Sequence, residues 1–379
     1  MFRTFFVYSP FVVFVLTMLV FVVPALRTLR LGTRAQAVSA MFLLFCFSKF
    51  LCYKAFGGDE FNPDLPMALI WIWNWLYSGA ILLFAFSVAL FFLPRRVKPF
   101  LLPSLAWLIA AWGVWNGIKI PGVHEVEIFC PGLPAALDGY RIVQVADIHV
   151  SSAAPRWRTE AIVAKANAAN ADLVVCTGDI VDGPPRLRRH DVEPLKELKA
   201  KDGVYYVTGN HEFYGDYEGW KAMYDKWGFR FLRNECVVLR EGIALGGVDD
   251  DAIYNWYESG PEPDVGKAFA SATNGEFRVL LQHKPKFFED NVLLYGVGLQ
   301  LSGHTHGGVM PGLNLLVFIH NNGYVRGTYT AAAGNAGSEI SGQLYVSPGC
   351  GQWAGFPIRF FDDPEVSVIT LRCVENPPR

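Results

Sequence analysis

Residues 173–182 read LVVCTGDIVD: five positions of strand character, a glycine that ends the run, and two carboxylates three residues apart. The same pattern recurs in both directions along the chain. Upstream, RIVQVADIH (141–149) carries Asp147 and His149; downstream, VYYVTGNHE (204–212) carries Asn210 and His211. Further on, FRVLLQH (277–283) ends in His283, and LQLSGHTH (299–306) ends in His304 and His306. Strands are predicted at 141–146, 173–176, 204–207, 243–248, 277–281, 299–302 and 344–347, with helical patterns at 157–169, 192–199 and 218–227. That alternation predicts an α/β layered domain. In open α/β sheets ligands gather beyond the carboxyl ends of the strands, so residues spread over about 160 positions can meet in one site.

Taken singly, each of these residues has an ordinary reading. Asp147 or Asp182 suits an Asx turn, Gly209-Asn210 a tight turn, and His283 a surface position before Lys284-Pro285. Together they are harder to dismiss, because five of the eight His in the chain fall at these strand ends. Carboxylate oxygen, imidazole nitrogen and an amide oxygen, with no thiolate among them, suit divalent ions of the Mn, Fe or Zn type. Two such ions about 3.5–4 Å apart clamp the attacking and leaving oxygens of a phosphoryl displacement and make hydroxide available near neutral pH. One carboxylate must bridge the pair, and a proton donor must reach the leaving group.

Asp-x-His, Gly-Asp-x-x-Asp, Gly-Asn-His-Glu, a lone His and Gly-His-x-His, in that order over residues 138–371, resemble the calcineurin-like metallophosphoesterase superfamily. Gly307-Gly308, the 247–250 strand end and the closing 346–349 segment resemble its bacterial branch of multi-span, membrane-anchored members. The resemblance implies a double-sheet sandwich flanked by helices, with the site between the sheet edges. It implies that Asp147, His149 and His306 hold a first metal, that Asn210, His283 and His304 hold a second, and that Asp179 bridges them. His211 would then be the acid facing the leaving group, oriented by Asp182. In the protein phosphatases of the superfamily an Arg that binds phosphate follows the second Asp; here Gly183 stands in its place. The missing guanidinium clamp favours diesters or pyrophosphates, unless Arg156, Arg158, Arg230 or Arg233 supplies charge from elsewhere.

The rest of the chain is different material. Of 33 Lys or Arg and 35 Asp or Glu in 379 residues, the first 118 hold nine and three, so a net charge of −2 joins a positive part to a negative one. A mean hydropathy of +0.24 excludes a disordered chain, and the even charge balance excludes a polybasic nucleic-acid binder. Seven Cys without a CxxC suggest buried thiols, with at most one bridge. Four apolar stretches, 4–26, 35–56, 65–93 and 100–118, each approach the ~20 residues of a bilayer span. The first is too long for a cleavable leader and lacks a small-residue cleavage site. Lys49, inside the second stretch, is expected to snorkel to the surface.

Loops 27–34 and 94–99 carry three Lys or Arg each, whereas loop 57–64 has Asp59, Glu60 and Asp64. The positive loops are expected in the cytoplasm, which puts the catalytic part on the extracytoplasmic side of the inner membrane. The chain therefore divides into a transmembrane region (1–118), an exit segment or edge strand (119–137) and a catalytic domain (138–379). The expected function is a membrane-anchored hydrolase of phosphodiester or pyrophosphate bonds that depends on two divalent ions. Its expected partners are membrane lipid and a phosphorylated small molecule or lipid, reached by Trp353, Phe356 and Pro357 at the interface. The alternatives are a phosphomonoesterase and a non-catalytic, metal-dependent sensing module. Substrate choice is assigned to loops 212–235, 249–275 and 307–343.

Overall fold

The computed structural model describes residues 2–58, 62–239, 242–253, 262–273, 275–310, 312–333, 340–355, 358–360 and 362–374. Asp59, Glu60, Phe356 and Pro357 lie outside the described residues. The chain forms two compact units: Met1–Ile118 with Trp353–Phe360, and Lys119–Gln352 with Phe361–Arg379.

In the first unit, α1 (Phe2–Thr17) continues through a π-helical stretch (Met18–Val22) into α2 (Val23–Thr28). Then follow α3 (Thr33–Phe47), α4 (Lys49–Phe56), α5 (Met67–Ala89) and α6 (Lys98–Ile118). Pro10–Thr28, Met67–Ala89 and Lys98–Ile118 are long and apolar enough to cross a bilayer, and α3 with α4 makes a fourth candidate, bent by 58°. The bend falls at Ser48, beside Lys49, and Lys49 does not snorkel. It is fully buried, and its ammonium donates to Asn74 Oδ1 (2.7 Å) and to the Gly355 carbonyl (2.6 Å). It also lies 4.2 Å from the Tyr77 ring and 4.3 Å from the Phe50 ring. Polar and aromatic partners inside the bundle meet the ammonium's needs, so the side chain has no reason to reach for the surface. Segment 353–360, part of this unit, is also held by Arg359 N–H donating to the Gly113 carbonyl (2.9 Å) and by Phe360 packed on Trp112.

The second unit is a sandwich of two six-stranded mixed sheets. Its strands are β1 (Gly122–Cys130), β2 (Arg141–Val145), β3 (Leu173–Thr177), β4 (Val204–Val207), β5 (Arg230–Phe231), β6 (Glu235–Leu239), β7 (Ile243–Gly247), β8 (Phe277–Leu281), β9 (Val297–Ser302), β10 (Gly327–Ala333), β11 (Ile340–Val346) and β12 (Glu365–Cys373). The sheet orders are β1-β12-β2-β3-β4-β5 and β10-β11-β9-β8-β7-β6. The helices are α7 (Arg156–Ala168), α8 (Pro185–Val192), α9 (Asn210–Tyr214), α10 (Tyr217–Trp227), α11 (Val265–Ala268), α12 (Phe288–Tyr295) and α13 (Leu313–His320).

Apolar side chains alternate between two layers. Ile142, Leu173, Val175, Val207, Leu245, Val279, Leu281 and Leu299 fill the space between the sheets. Val143, Val145, Val174 and Cys176 face outward against Ile162, Val163 and Ala166 of α7. Burial on both faces explains why these strands read as unbroken apolar runs. β2, β3 and β4 are mutually parallel, as are β7, β8 and β9, so their carboxyl ends lie at corresponding edges.

The predicted helix at 192–199 is instead the end of α8 followed by a 3₁₀ turn at Glu193–Glu197, where Pro194 cannot donate to a continuing α-helical ladder. The exit segment carries the edge strand β1, while β5, β6, β10 and β12 join the predicted strands and β11 begins ahead of the expected 344. All seven Cys are free.

Candidate metal centre

Every residue singled out at a strand end sits where a strand of the sandwich stops. β2 leads to Asp147 and His149, β3 to Asp179 and Asp182, β4 to Asn210 and His211, β8 to His283, and β9 to His304 and His306. Five of them, Asp147, His149, Asp179, His304 and His306, have φ between 48° and 70°. Left-handed backbone is uncommon for residues with a Cβ, and such strain collects at functional sites. The backbone around them is correspondingly tight. A Cβ on Gly209 would lie 2.3 Å from Asp179 Oδ1, so only glycine lets the turn after β4 approach that carboxylate.

The side chains converge in overlapping groups whose ligand atoms lie within 4.8 Å of one another: Asp147, His149, Asp179 and His306; Asp179, His283 and His304; and His149, Asp182 and His211. Asp179 belongs to both of the first two. Its Oδ2 is 3.7 Å from His149 Nε2 and 3.3 Å from His283 Nε2. Nε2 of His149 and Nε2 of His306 are 3.2 Å apart, and Nε2 of His306 is 3.6 Å from Asp147 Oδ1.

The opposite ring nitrogens fix the tautomers. Nδ1 of His149 faces Asp182 Oδ1 (3.0 Å), Nδ1 of His283 faces the Thr177 carbonyl (2.7 Å), and Nδ1 of His306 faces the Gly351 carbonyl (3.3 Å). Each acceptor calls for a proton on Nδ1, which leaves three Nε2 lone pairs directed at two carboxylates and at one another. Lone pairs and carboxylates so close together suit a shared positive charge. Asn210 Oδ1 is buried without a hydrogen-bond partner, as a further oxygen ligand would be before binding. The residues present therefore fit divalent metal.

The electrostatics point the same way. Burial opposes charge on His283, yet the Asp179 and Asp147 carboxylates raise it to about 10. Burial likewise opposes charge on His211, and Asp179 with the hydrogen-bonded Asp182 lifts it to about 9. Burial raises Asp147 to about 6, helped by the neighbouring Asp179. Against the same burial, His149 and His211 hold Asp182 down at about 2. The pocket calls for positive charge and buries every group that would share it.

Asp182 Oδ1 also lies 2.7 Å from His211 Nδ1, so one carboxylate oxygen orients both the expected acid and the expected ligand His149. Glu212 is a positioning residue that the sequence reading quoted without assigning a role. Its carboxylate accepts from the backbone N–H of Asp179 (3.0 Å), Ile180 (2.7 Å) and Gly209 (2.6 Å), stitching the β3 and β4 turns together. The signal was present, since a Glu three residues after the N-cap Gly209 can reach back to its backbone N–H, one half of a capping box.

The four arginines considered as substitutes for the missing clamp are engaged elsewhere. Arg156 pairs with Glu160, Arg158 is buried against the Lys119 and Cys350 carbonyls, Arg230 stacks on Tyr205, and Arg233 binds Asp249.

Residues 140–308 match the calcineurin-like phosphoesterase family. The chain is 33% identical to a zebrafish (Danio rerio) transmembrane protein with metallophosphoesterase domain, over 70% of this chain and 60% of that protein. It is 31% identical to an uncharacterized metallophosphoesterase of Helicobacter pylori (strain ATCC 700392 / 26695), over 70% of this chain and 68% of that one. With the uncharacterized metallophosphoesterase YkuE of Bacillus subtilis it shares 31% identity over 63% and 82% of the two chains. The match thus spans less than two thirds of the zebrafish relative.

Proposed function

The chain belongs to the calcineurin-like phosphoesterase family, and from that membership we propose that it is a membrane-anchored hydrolase of a phosphodiester or pyrophosphate bond that uses two divalent ions. The observation that carries this reading is the pair of ligand groups sharing Asp179. Asp147, His149, Asp179 and His306 would hold one ion; Asp179, Asn210, His283 and His304 would hold the other. Ions of the Mn, Fe or Zn type supply Lewis acidity toward the phosphoryl oxygens and an acidified water.

The protein's own groups supply the rest. His211 is the proton donor for the leaving oxygen, and Asp182, hydrogen-bonded to its Nδ1, keeps its ring in place. Glu212 fixes the backbone that presents Asp179. Gly183 at the Arg position, with Arg156, Arg158, Arg230 and Arg233 otherwise bound, supports a substrate whose phosphate carries one negative charge per phosphorus over a monoester dianion.

The apolar helices of the first unit anchor the chain in the inner membrane, with the catalytic unit on the extracytoplasmic side by the loop-charge rule. A substrate that carries its phosphate on a lipid suits such an anchor. The test is turnover of bis(p-nitrophenyl) phosphate and p-nitrophenyl phosphate by the full chain in detergent micelles, stripped of metal and then given Mn²⁺, beside Asn210→Ala. Metal-dependent diester cleavage that Asn210→Ala lowers at least a hundredfold is expected. Faster cleavage of the monoester, or turnover that survives stripping, overturns the reading.

A further inference from the structure

One helix of the catalytic unit leaves an apolar side open among the described residues. None of the residues of α13 (LNLLVFIH) is buried, and Leu315, Leu316, Phe318 and Ile319 are 60%, 52%, 50% and 61% exposed. Single exposed apolar side chains are ordinary on a protein surface; four within five residues are not. At 3.6 residues per turn, Leu313 and residues 315–319 are distributed around the whole circumference of the helix. Only Asn314 and His320 interrupt them, and no polar face remains.

Leu313 and Val317, one turn apart, are half-buried, and the four exposed side chains share the remaining side of the helix. That open side covers roughly 160° at about 100° per residue and carries no charge, which suits the apolar layer of a bilayer. The eight residues of the helix measure about 12 Å, too short to cross a bilayer but within the roughly 15 Å of hydrocarbon in one leaflet. The chain itself brings a bilayer within reach, through three helices long and apolar enough to span. The helix ends are polar: Asn314 Oδ1 accepts from Gly312 N–H (3.0 Å), and Asn321 Nδ2 donates to the Val317 carbonyl (2.9 Å).

We propose that α13 is a membrane-docking element, a short wedge that inserts into the acyl layer of one leaflet beside the catalytic centre. It follows His306 by only a few residues, and its start is pressed against the metal-site turn. Gly308 is left-handed (φ 84°), and a Cβ there would meet the Asn314 side chain at 2.8 Å. Inserting the wedge therefore brings the turn that carries His306 to the lipid surface, where a phosphate borne on a lipid tail resides. This last role rests on the lipid-linked substrate suggested above; the docking itself does not.

The test is made on the full chain in its native membranes, with a photo-crosslinking benzoylphenylalanine placed at Leu316 and, separately, at Ile319. Lys226 of the exposed last turn of α10 serves as the control site. Irradiation is expected to yield lipid adducts at both α13 positions and none at the control. A cross-linked chain of doubled mass, an adduct with another protein, or no adduct at either position overturns the proposal. A second arm uses Leu315→Asp with Ile319→Asp in the full chain, exposed positions whose change leaves the core intact. The rate on a long-chain phosphodiester in phosphatidylcholine vesicles, divided by the rate on its water-soluble short-chain analogue, is expected to fall at least tenfold. An unchanged ratio overturns the docking role. Lipid adducts in a protein that hydrolyses the soluble diester alone uphold the docking and overturn the lipid-linked substrate.

Discussion

Asp182 serves two masters with one oxygen, and that separates two substitutions that would otherwise look alike. His211→Ala removes a proton donor and nothing else from the cage, so kcat for the diester is expected to fall by about 10²–10⁴ while bound metal stays at its normal level. Asp182→Asn is expected to lower kcat and also to weaken metal binding by about 10–100-fold, because the ring of His149 loses the carboxylate that fixes its tautomer. Metal titrations followed by turnover and by metal analysis distinguish the two; equal metal affinity in both variants contradicts the shared role of Asp182. The cage also predicts its own dependence on metal. Two buried carboxylates without a cation strain the fold, and an ion at a hundred times its dissociation constant stabilises the native state by about 2.7 kcal/mol. Chelation is therefore expected to lower the melting temperature of the catalytic unit by roughly 5–10 °C, a shift readable by calorimetry.

At the scale of elements, the turns after β3 and β4 depend on Glu212. Glu212→Gln puts an amide donor against backbone N–H groups that need an acceptor, at a cost of about 2 kcal/mol, or roughly 4–8 °C in melting temperature. An unchanged melting curve would show that these turns hold without it. The parallel strands β2, β3, β4, β8 and β9 could be read from the sequence because both faces are buried, and the change from apolar run to Gly, Asp, Asn or His marks where each ends. The site was legible for the same reason: its residues are the first ones past those ends. Pairing was not legible. β12 comes last in sequence yet lies between β1 and β2, a partnership set by distant contacts that leaves no local mark. β5 has two residues and β6 is half-exposed, so neither presents a period long enough to recognise. α13 falls within a stretch assigned to a substrate loop, since a helix apolar on all sides has no 3.6-residue alternation to reveal it.

At the scale of the whole molecule, loop charge predicts that alkaline phosphatase fused after Arg379 is active and that a fluorescent protein fused there is dark in a bacterial host. The reverse pattern would place the catalytic unit in the cytoplasm. Lys49→Met deprives the Gly355 carbonyl and Asn74 Oδ1 of their donor. It is expected to destabilise the helical unit by about 1–3 kcal/mol, measured as a lower melting temperature in micelles. The same contacts bear on how the protein is made. The helical unit contains residues from both sides of the catalytic sequence, and Trp353 leaves the ribosome about 235 residues after Ile118. At some 5–20 residues per second that interval is roughly 12–50 s. Throughout it the helices hold Lys49 and Asn74 without the Gly355 and Ala354 carbonyls that join them in the finished unit. The last piece of the helical unit is delivered only after nearly all of the catalytic chain has been synthesised, so a chain cut short before Gly355 keeps an unfilled polar cleft among its helices.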